Sequence, residues 1–168
     1  MGVETEVKFA MRSAAFARRL LKKAGARRLG KVSEHNECFD LPGGVLKKRK
    51  MLLRLRRDGR VRVTLKLKPG SDRRFKVRTE IEFEASDFAE ARRFFEALGF
   101  RKWYVYEKKR ESWLLAGCRV EVDELYFGAF IELEGSKAAI RKACARLGLK
   151  LSEGLTYSYF SLERKSKC

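Results

Sequence analysis

What most restricts this chain is a strand pattern, repeated along most of its length, in which one face is apolar and the other almost wholly ionic. Side chains of an extended strand point alternately to its two sides, so residue parity sorts them. Period-two alternation runs through Val3–Phe9, Leu52–Arg56, Arg60–Lys68, Lys76–Glu84, Trp103–Trp113, Arg119–Asp123 and Ala129–Glu134, and a short strand is expected at Glu37–Asp40. In the first run Val3, Thr5, Val7 and Phe9 oppose Glu4, Glu6 and Lys8. Leu53 and Leu55 oppose Arg54 and Arg56, and Val63 and Leu65 oppose Thr64 and Lys66. Val77, Ile81 and Phe83 oppose Arg78, Glu80 and Glu82, while Tyr106, Lys108 and Arg110 share one face. Val120 and Val122 oppose Glu121 and Asp123, and Ile131 and Leu133 oppose Glu132 and Glu134.

The ordinary outcome of such alternation is an antiparallel sheet with its charged face in water. Two features weigh against it. A solvated face mixes Thr, Ser, Lys and Glu, whereas this one is nearly all ionic. The charges also segregate, with acids on the first and last strands and bases on the Arg54–Lys68 hairpin and the Lys108–Arg110 strand. Like charges on neighbouring strands repel, unless a ligand of opposite sign neutralises them. Roughly eight strands can close into a barrel, which turns the charged face inward. Asp58-Gly59 between two runs signals a hairpin. Three segments open at a serine and close at a glycine, as helices do: Ser13–Gly25, Ser86–Gly99 and Ser136–Gly148. The expected fold is α+β, an antiparallel closed β-barrel (a tunnel) with a charged interior and flanking helices. It forms one domain over residues 1–168.

Carboxylates bind hard cations through oxygen, and Arg and Lys bind phosphate oxygens. A lumen holding both suits a metal–polyphosphate complex. The formal charge of +18 likewise asks for a polyanionic ligand. Part of it fits a thermophile-like composition, since glutamine is absent and Asn36 is the only asparagine. Cys38, Cys118, Cys144 and Cys168 form no C-x-x-C pair and His35 is the only histidine, which excludes the usual zinc patterns and suggests free thiols. No run reaches the roughly 18 apolar residues of a membrane helix. The charged N-terminus resembles no targeting signal. A cytoplasmic location and no membrane partner are expected. A nucleic-acid module is the competing class, resting on Lys47-Lys48-Arg49-Lys50, Arg73-Arg74 and Arg164-Lys165. Without a recognition motif, and with carboxylates on the buried face, nucleic acid is not expected as a partner. Oligomeric state stays open, a homodimer included.

Glu4-Thr5-Glu6-Val7-Lys8 resembles the E-x-E-x-K signature of the CYTH superfamily, the triphosphate tunnel metalloenzymes. Further matches follow in order. They are Phe39-Asp40, Leu53-Arg54-Leu55-Arg56, Thr64-Leu65-Lys66, Arg78-Thr79-Glu80-Ile81-Glu82, Lys108-Lys109-Arg110 with Trp113, Asp123, and Gly128 through Glu134. The C-terminal Thr156-Tyr157-Ser158-Tyr159-Phe160 is similar to the end of the class IV adenylyl cyclase-like subgroup.

The resemblance implies Mg²⁺ or Mn²⁺ held by Glu4, Glu6, Glu132 and Glu134, with Glu80, Glu82 and Asp123 holding a second metal or orienting the first ligands. It implies a triphosphate cradle of Lys8, Arg54, Arg56, Lys66, Arg78, Lys108 and Arg110, and a catalytic group of Glu4, Glu6, Lys8 and Asp123. The implied ligand is ATP or another small triphosphate. The implied reaction is ATP to cyclic AMP and pyrophosphate, or triphosphate hydrolysis in the same tunnel, with a non-catalytic polyphosphate binder as the remaining alternative.

Overall fold

The computed structural model describes residues 2–70, 72 and 74–167; Arg73 and Cys168, named above, lie outside them. Eight strands run in chain order: β1 (Gly2–Met11), β2 (Arg27–Asp40), β3 (Leu52–Arg57), β4 (Val61–Lys66), β5 (Lys76–Ala85), β6 (Arg101–Leu115), β7 (Cys118–Leu125) and β8 (Gly128–Glu134). They hydrogen-bond in the cyclic order β1-β5-β4-β3-β2-β6-β7-β8, a closed barrel. The described registers are antiparallel, with Lys8 opposite Glu132, Arg54 opposite Thr64 and Arg110 opposite Asp123. β2 is far longer than the strand expected at Glu37–Asp40, because its first half carries Arg27, Arg28, Lys31 and Ser33 where an apolar alternation would show.

The helices are α1 (Ala14–Lys23), α2 (Val45–Lys48), α3 (Phe88–Ala97), α4 (Lys137–Leu147) and α5 (Tyr159–Ser166), with a 3-10 turn at Leu151–Glu153. Ser13 and Ser136 cap α1 and α4 as expected, accepting from Phe16 N–H and Ala139 N–H. The cap of α3 is Asp87, one residue past the expected serine; its Oδ1 accepts from Glu90 N–H at 2.8 Å. Sequence periodicity missed α2 and α5 because each spans too few turns to show a stripe. Asp40 holds the start of α2, accepting from Leu46 N–H at 2.8 Å and Lys47 N–H at 3.0 Å. Gly25, Gly99 and Gly148 follow α1, α3 and α4 with positive φ, the left-handed geometry that suits glycine.

The chain parts into two compact units interleaved in sequence. One comprises Met1–Val3, Ser33–Ser71 and Arg78–Glu107; the other Glu4–Val32, Asp72–Val77 and Lys108–Cys168. In the first, Phe88 and Phe95 of α3 pack on Phe39, Leu53, Leu55 and Val63. In the second, Ala17 and Leu21 of α1 and Ile140, Ala143 and Leu147 of α4 pack on Val120, Val122, Ile131 and Leu133. On β3, β4, β7 and β8 the apolar parity therefore faces helices and the ionic parity faces the other way, whereas Ile81 and Phe83 on the apolar parity of β5 are exposed. Glu6, Lys8, Arg54, Arg56, Lys66, Lys108, Asp123 and Glu132 are all buried, so these charges do not face bulk water as they would on an open, solvated sheet. Cys38, Cys118 and Cys144 are free and buried, and burial pushes their thiols up to about 12, 12 and 11, which keeps them protonated.

Ile131→Ala, in the fully buried layer under α1 and α4, should cost about 2–5 kcal/mol in chemical denaturation. Ile81→Ala, at a position 41% exposed, should change stability by under about 1 kcal/mol.

Candidate active site

In the second unit the register of β1 against β8 brings Lys8 opposite Glu132 and Glu6 opposite Glu134. Glu4, Glu6 and Glu132 each offer a carboxylate oxygen, and these oxygens lie within 4.8 Å of one another. Among the described residues this is the group placed to hold a metal ion, and three carboxylates form a hard-oxygen donor set suited to Mg²⁺ or Mn²⁺. Lys76 of β5 hydrogen-bonds to Glu6. Lys8 Nζ stands 2.8 Å from Glu132 Oε2 and 3.9 Å from Glu6 Oε1.

Asp123, fully buried, is gripped by three groups through four hydrogen bonds. Arg110 donates through Nε and Nη2 at 2.6 Å each, Lys108 donates at 3.0 Å, and the Tyr159 hydroxyl donates as well. Arg110 Nη2 and Tyr159 Oη also lie 3.5 and 3.3 Å from Glu132 Oε2. Burial alone would push the Asp123 carboxyl up, but the Arg110 and Lys108 cations outweigh it and hold the acid well below the usual carboxylate range. The same contest leaves Glu132 ionised beside Lys8, and keeps Lys8 charged although burial opposes it. Tyr159 is held as a neutral phenol by burial and by the neighbouring Asp123 and Glu132 charges. Glu134 differs. Burial, then the like charges of Glu4 and Glu132, raise its carboxyl to about 7. A cation among these acids would relieve that repulsion.

The first unit carries a separate basic row. Arg54 and Arg56 of β3 and Lys66 of β4 are buried. Arg54 Nη2 lies 3.3 Å from Thr64 Oγ1, which in turn donates to Glu82 Oε2 at 2.7 Å. Lys66 pairs with Glu80, and Arg56 Nη1 lies 3.7 Å from Glu34. Arg56 Nε lies 3.2 Å from Asp58 Oδ2, to which Arg62 Nη2 also donates, while the Nε groups of Arg54 and Arg62 are buried without a hydrogen-bond acceptor. Buried N–H groups are rarely left so, and guanidinium donors on neighbouring strands are groups a phosphate would satisfy. Arg78 lies half-buried on β5, on the same parity as Glu80 and Glu82.

The resemblance assigned four acids to the metal, Glu4, Glu6, Glu132 and Glu134, and gave Glu80, Glu82 and Asp123 to a second metal or to orienting the first ligands. The structure gathers Glu4, Glu6 and Glu132, with Glu134 coupled to them. Glu80 and Glu82 stand in the other unit, engaged with Lys66 and Thr64. Asp123 accepts from Arg110, Lys108 and the Tyr159 hydroxyl. Sequence reading gave no role to Glu34, Glu121, Lys76 or Tyr159. Glu121 is buried, accepting from Ser112 Oγ at 2.7 Å and Arg119 Nε at 2.5 Å. Tyr159 opens α5, and no spacing could show that a tyrosine beyond the last strand hydrogen-bonds to β7. Its one signal was Ser158, a helix cap in a segment otherwise taken only for its resemblance.

A carboxyl raised in the folded state binds protons that the unfolded chain has lost, so it lowers stability as pH rises from about 4.5 through 7. Glu134→Gln should remove that loss. Because Glu134 is only half-buried, the metal-free variant should be only about 1–2 kcal/mol more stable than the parent at pH 8 and near equal at pH 4. Denaturation in chelator at the two pH values measures it.

A family model describing the CYTH domain matches residues 2–166. Among solved structures, PH1012 from Pyrococcus horikoshii OT3 superposes with a TM-score of 0.81 at 29% identity, covering 95% of this chain and 98% of that one. The Pyrococcus furiosus protein Pfu-838710-001 gives 0.82 at 26% identity, over 95% and 99%. HpAC1 from Hippeastrum, a protein with dominant triphosphatase activity, shares the fold at 19% identity and a TM-score of 0.70, over 100% and 97%. No curated protein matches the chain.

Proposed function

This chain belongs to the CYTH domain family, and from that premise we propose that it is a metal-dependent enzyme acting on the triphosphate group of a small molecule, with hydrolysis as its principal reaction. The observation that carries this reading is the convergence of Glu4, Glu6 and Glu132 within 4.8 Å beside buried Lys8. The buried Nε groups of Arg54 and Arg62, left without acceptors, support it further. The dominant triphosphatase activity of HpAC1 favours hydrolysis.

Glu4, Glu6 and Glu132 would hold Mg²⁺ or Mn²⁺, with Glu134 completing the set once deprotonated. A bound divalent ion supplies charge neutralisation at the phosphate oxygens. The chain's own residues do the rest. Asp123 fixes the direction of the Arg110 guanidinium and the Lys108 ammonium, so that neither must reorganise as negative charge develops on the transferred phosphoryl group. Lys8, held between Glu6 and Glu132, keeps its proton and presents a fixed positive charge. Arg54, Arg56, Lys66 and Arg78 are the candidates for the remaining phosphate oxygens, the guanidinium forks matching phosphate geometry. Burial of these groups excludes water and strengthens each contact.

Cyclisation of ATP to cyclic AMP and pyrophosphate is the second reading, favoured by the class IV cyclase-like segment Thr156–Phe160 that contains Tyr159. The two differ in the nucleophile: water in one, the ribose 3′-hydroxyl in the other.

Purified protein with Mg²⁺ or Mn²⁺ and inorganic triphosphate, ATP or thiamine triphosphate should release phosphate or pyrophosphate; cyclic AMP without phosphate release would select cyclisation. Glu6→Gln and Glu132→Gln should each cut turnover by at least about 100-fold with circular dichroism unchanged. Full activity in both would refute the ligand assignment. Arg56→Ala should raise KM by roughly tenfold with a smaller effect on kcat.

A further inference from the structure

The outer surface of the second unit carries a charge pattern for which the catalytic reading has no use. α1 and α4 both lie on β7 and β8 and bury their apolar stripes there. Neither helix contains a single acidic residue. Their outward positions hold Arg19, Lys22, Lys23, Arg141, Lys142 and Arg146, all exposed. Among the described residues, the ion pairs on these helices are those of Arg18 with Glu111 and Glu124 and of Lys137 with Asp72. The six outward cations take part in none among the described residues.

Heat adaptation builds paired networks of both signs, whereas these six cations are of one sign and form no ion pair among the described residues. Helix dipoles account for Lys22, Lys23 and Arg146, which stand in last turns, but not for Arg19, Arg141 or Lys142. Spacings of three and four residues set Arg19 against Lys22 and Lys23, and Lys142 against Arg146. On a helix such like-charged neighbours repel. The repulsion is relieved only by an anion outside the protein.

We infer that the α1–α4 face is a binding surface for the phosphate backbone of a nucleic acid, read without regard to base sequence. A duplex presents a regular, dense line of negative charge, which neutralises a row of cations through counterion release. An anionic membrane fits less well. Surface-seeking helices insert an apolar side among the headgroups, whereas here that side is buried against β7 and β8 and no large apolar side chain is exposed on either helix. The sequence counted buried carboxylates against nucleic acid. Those acids, Glu121, Asp123 and Glu132, project from the opposite parity of β7 and β8, away from the face that meets α1 and α4.

The test is fluorescence anisotropy with a short labelled duplex of arbitrary sequence, titrated across salt. The expected result is binding at low salt with a steep loss as salt rises, indifferent to sequence. The variant Lys22→Glu/Lys23→Glu/Arg141→Glu/Lys142→Glu should weaken binding at least about tenfold and flatten the salt slope. Its turnover of inorganic triphosphate should stay unchanged, which separates this surface from the inner site. The same four positions changed to Gln should give an intermediate loss, and they serve as the reading if the Glu variant fails to fold. Equal binding by parent and variants overturns the proposal. So does no duplex binding by the parent, preference for phosphatidylserine vesicles over duplex, or loss of turnover in step with loss of binding.

Discussion

The arrangement of the second unit depends on a cluster of opposite charges buried together: Lys8 on Glu132, Arg110 and Lys108 on Asp123, Tyr159 bridging the two acids. Each ion alone would lose several kcal/mol of hydration on burial. Paired at hydrogen-bond distance they recover most of it, provided no member is removed. Such a cluster is weak as a source of net stability and strong as a source of geometry, since every member has one place where its partners are satisfied. That is the property an active site needs, because groups already oriented do not reorganise when charge develops in a reaction.

The acids next to that cluster are unevenly compensated. Glu132 has a cation on it and stays ionised, while Glu134, two residues along the same strand, has Glu4 and Glu132 for neighbours and a carboxyl raised to about 7. Balanced charge and excess negative charge thus stand side by side on β8. In the first unit the guanidinium groups of Arg54 and Arg62 each keep a buried Nε without an acceptor, although Arg56, Arg62 and Lys66 pair with Glu34, Asp58 and Glu80. On the outer helices a third imbalance, wholly positive, is left to solvent.

Apolar packing makes these arrangements affordable. Val120, Val122, Ile131 and Leu133 share strands with Glu121, Asp123 and Glu132, and their burial under α1 and α4 anchors the backbone from which the acids project. The period of two couples the faces: a register slip would expose the apolar set and bury the wrong polar one.

Much was legible in the chain because it is local. Strand parity follows from backbone geometry, so the face on which Glu4, Glu6, Lys8, Arg54, Arg56, Lys66, Asp123 and Glu132 lie could be read residue by residue. Helix caps and trailing glycines were equally local, apart from the shift from Ser86 to Asp87. What only the tertiary structure decided is which members of that face meet. Register puts Glu132 against Lys8 and Asp123 against Arg110, drawing three acids together and leaving Glu80 and Glu82 to Lys66 and Thr64. It also brings Tyr159 from a short C-terminal helix onto Asp123, and among the described residues it leaves Arg19, Lys22, Lys23, Arg141, Lys142 and Arg146 outside any ion pair. Side-chain direction is set by neighbours one or two bonds away along the chain, whereas partnership is set by strands far apart in sequence, and no period along the chain records it.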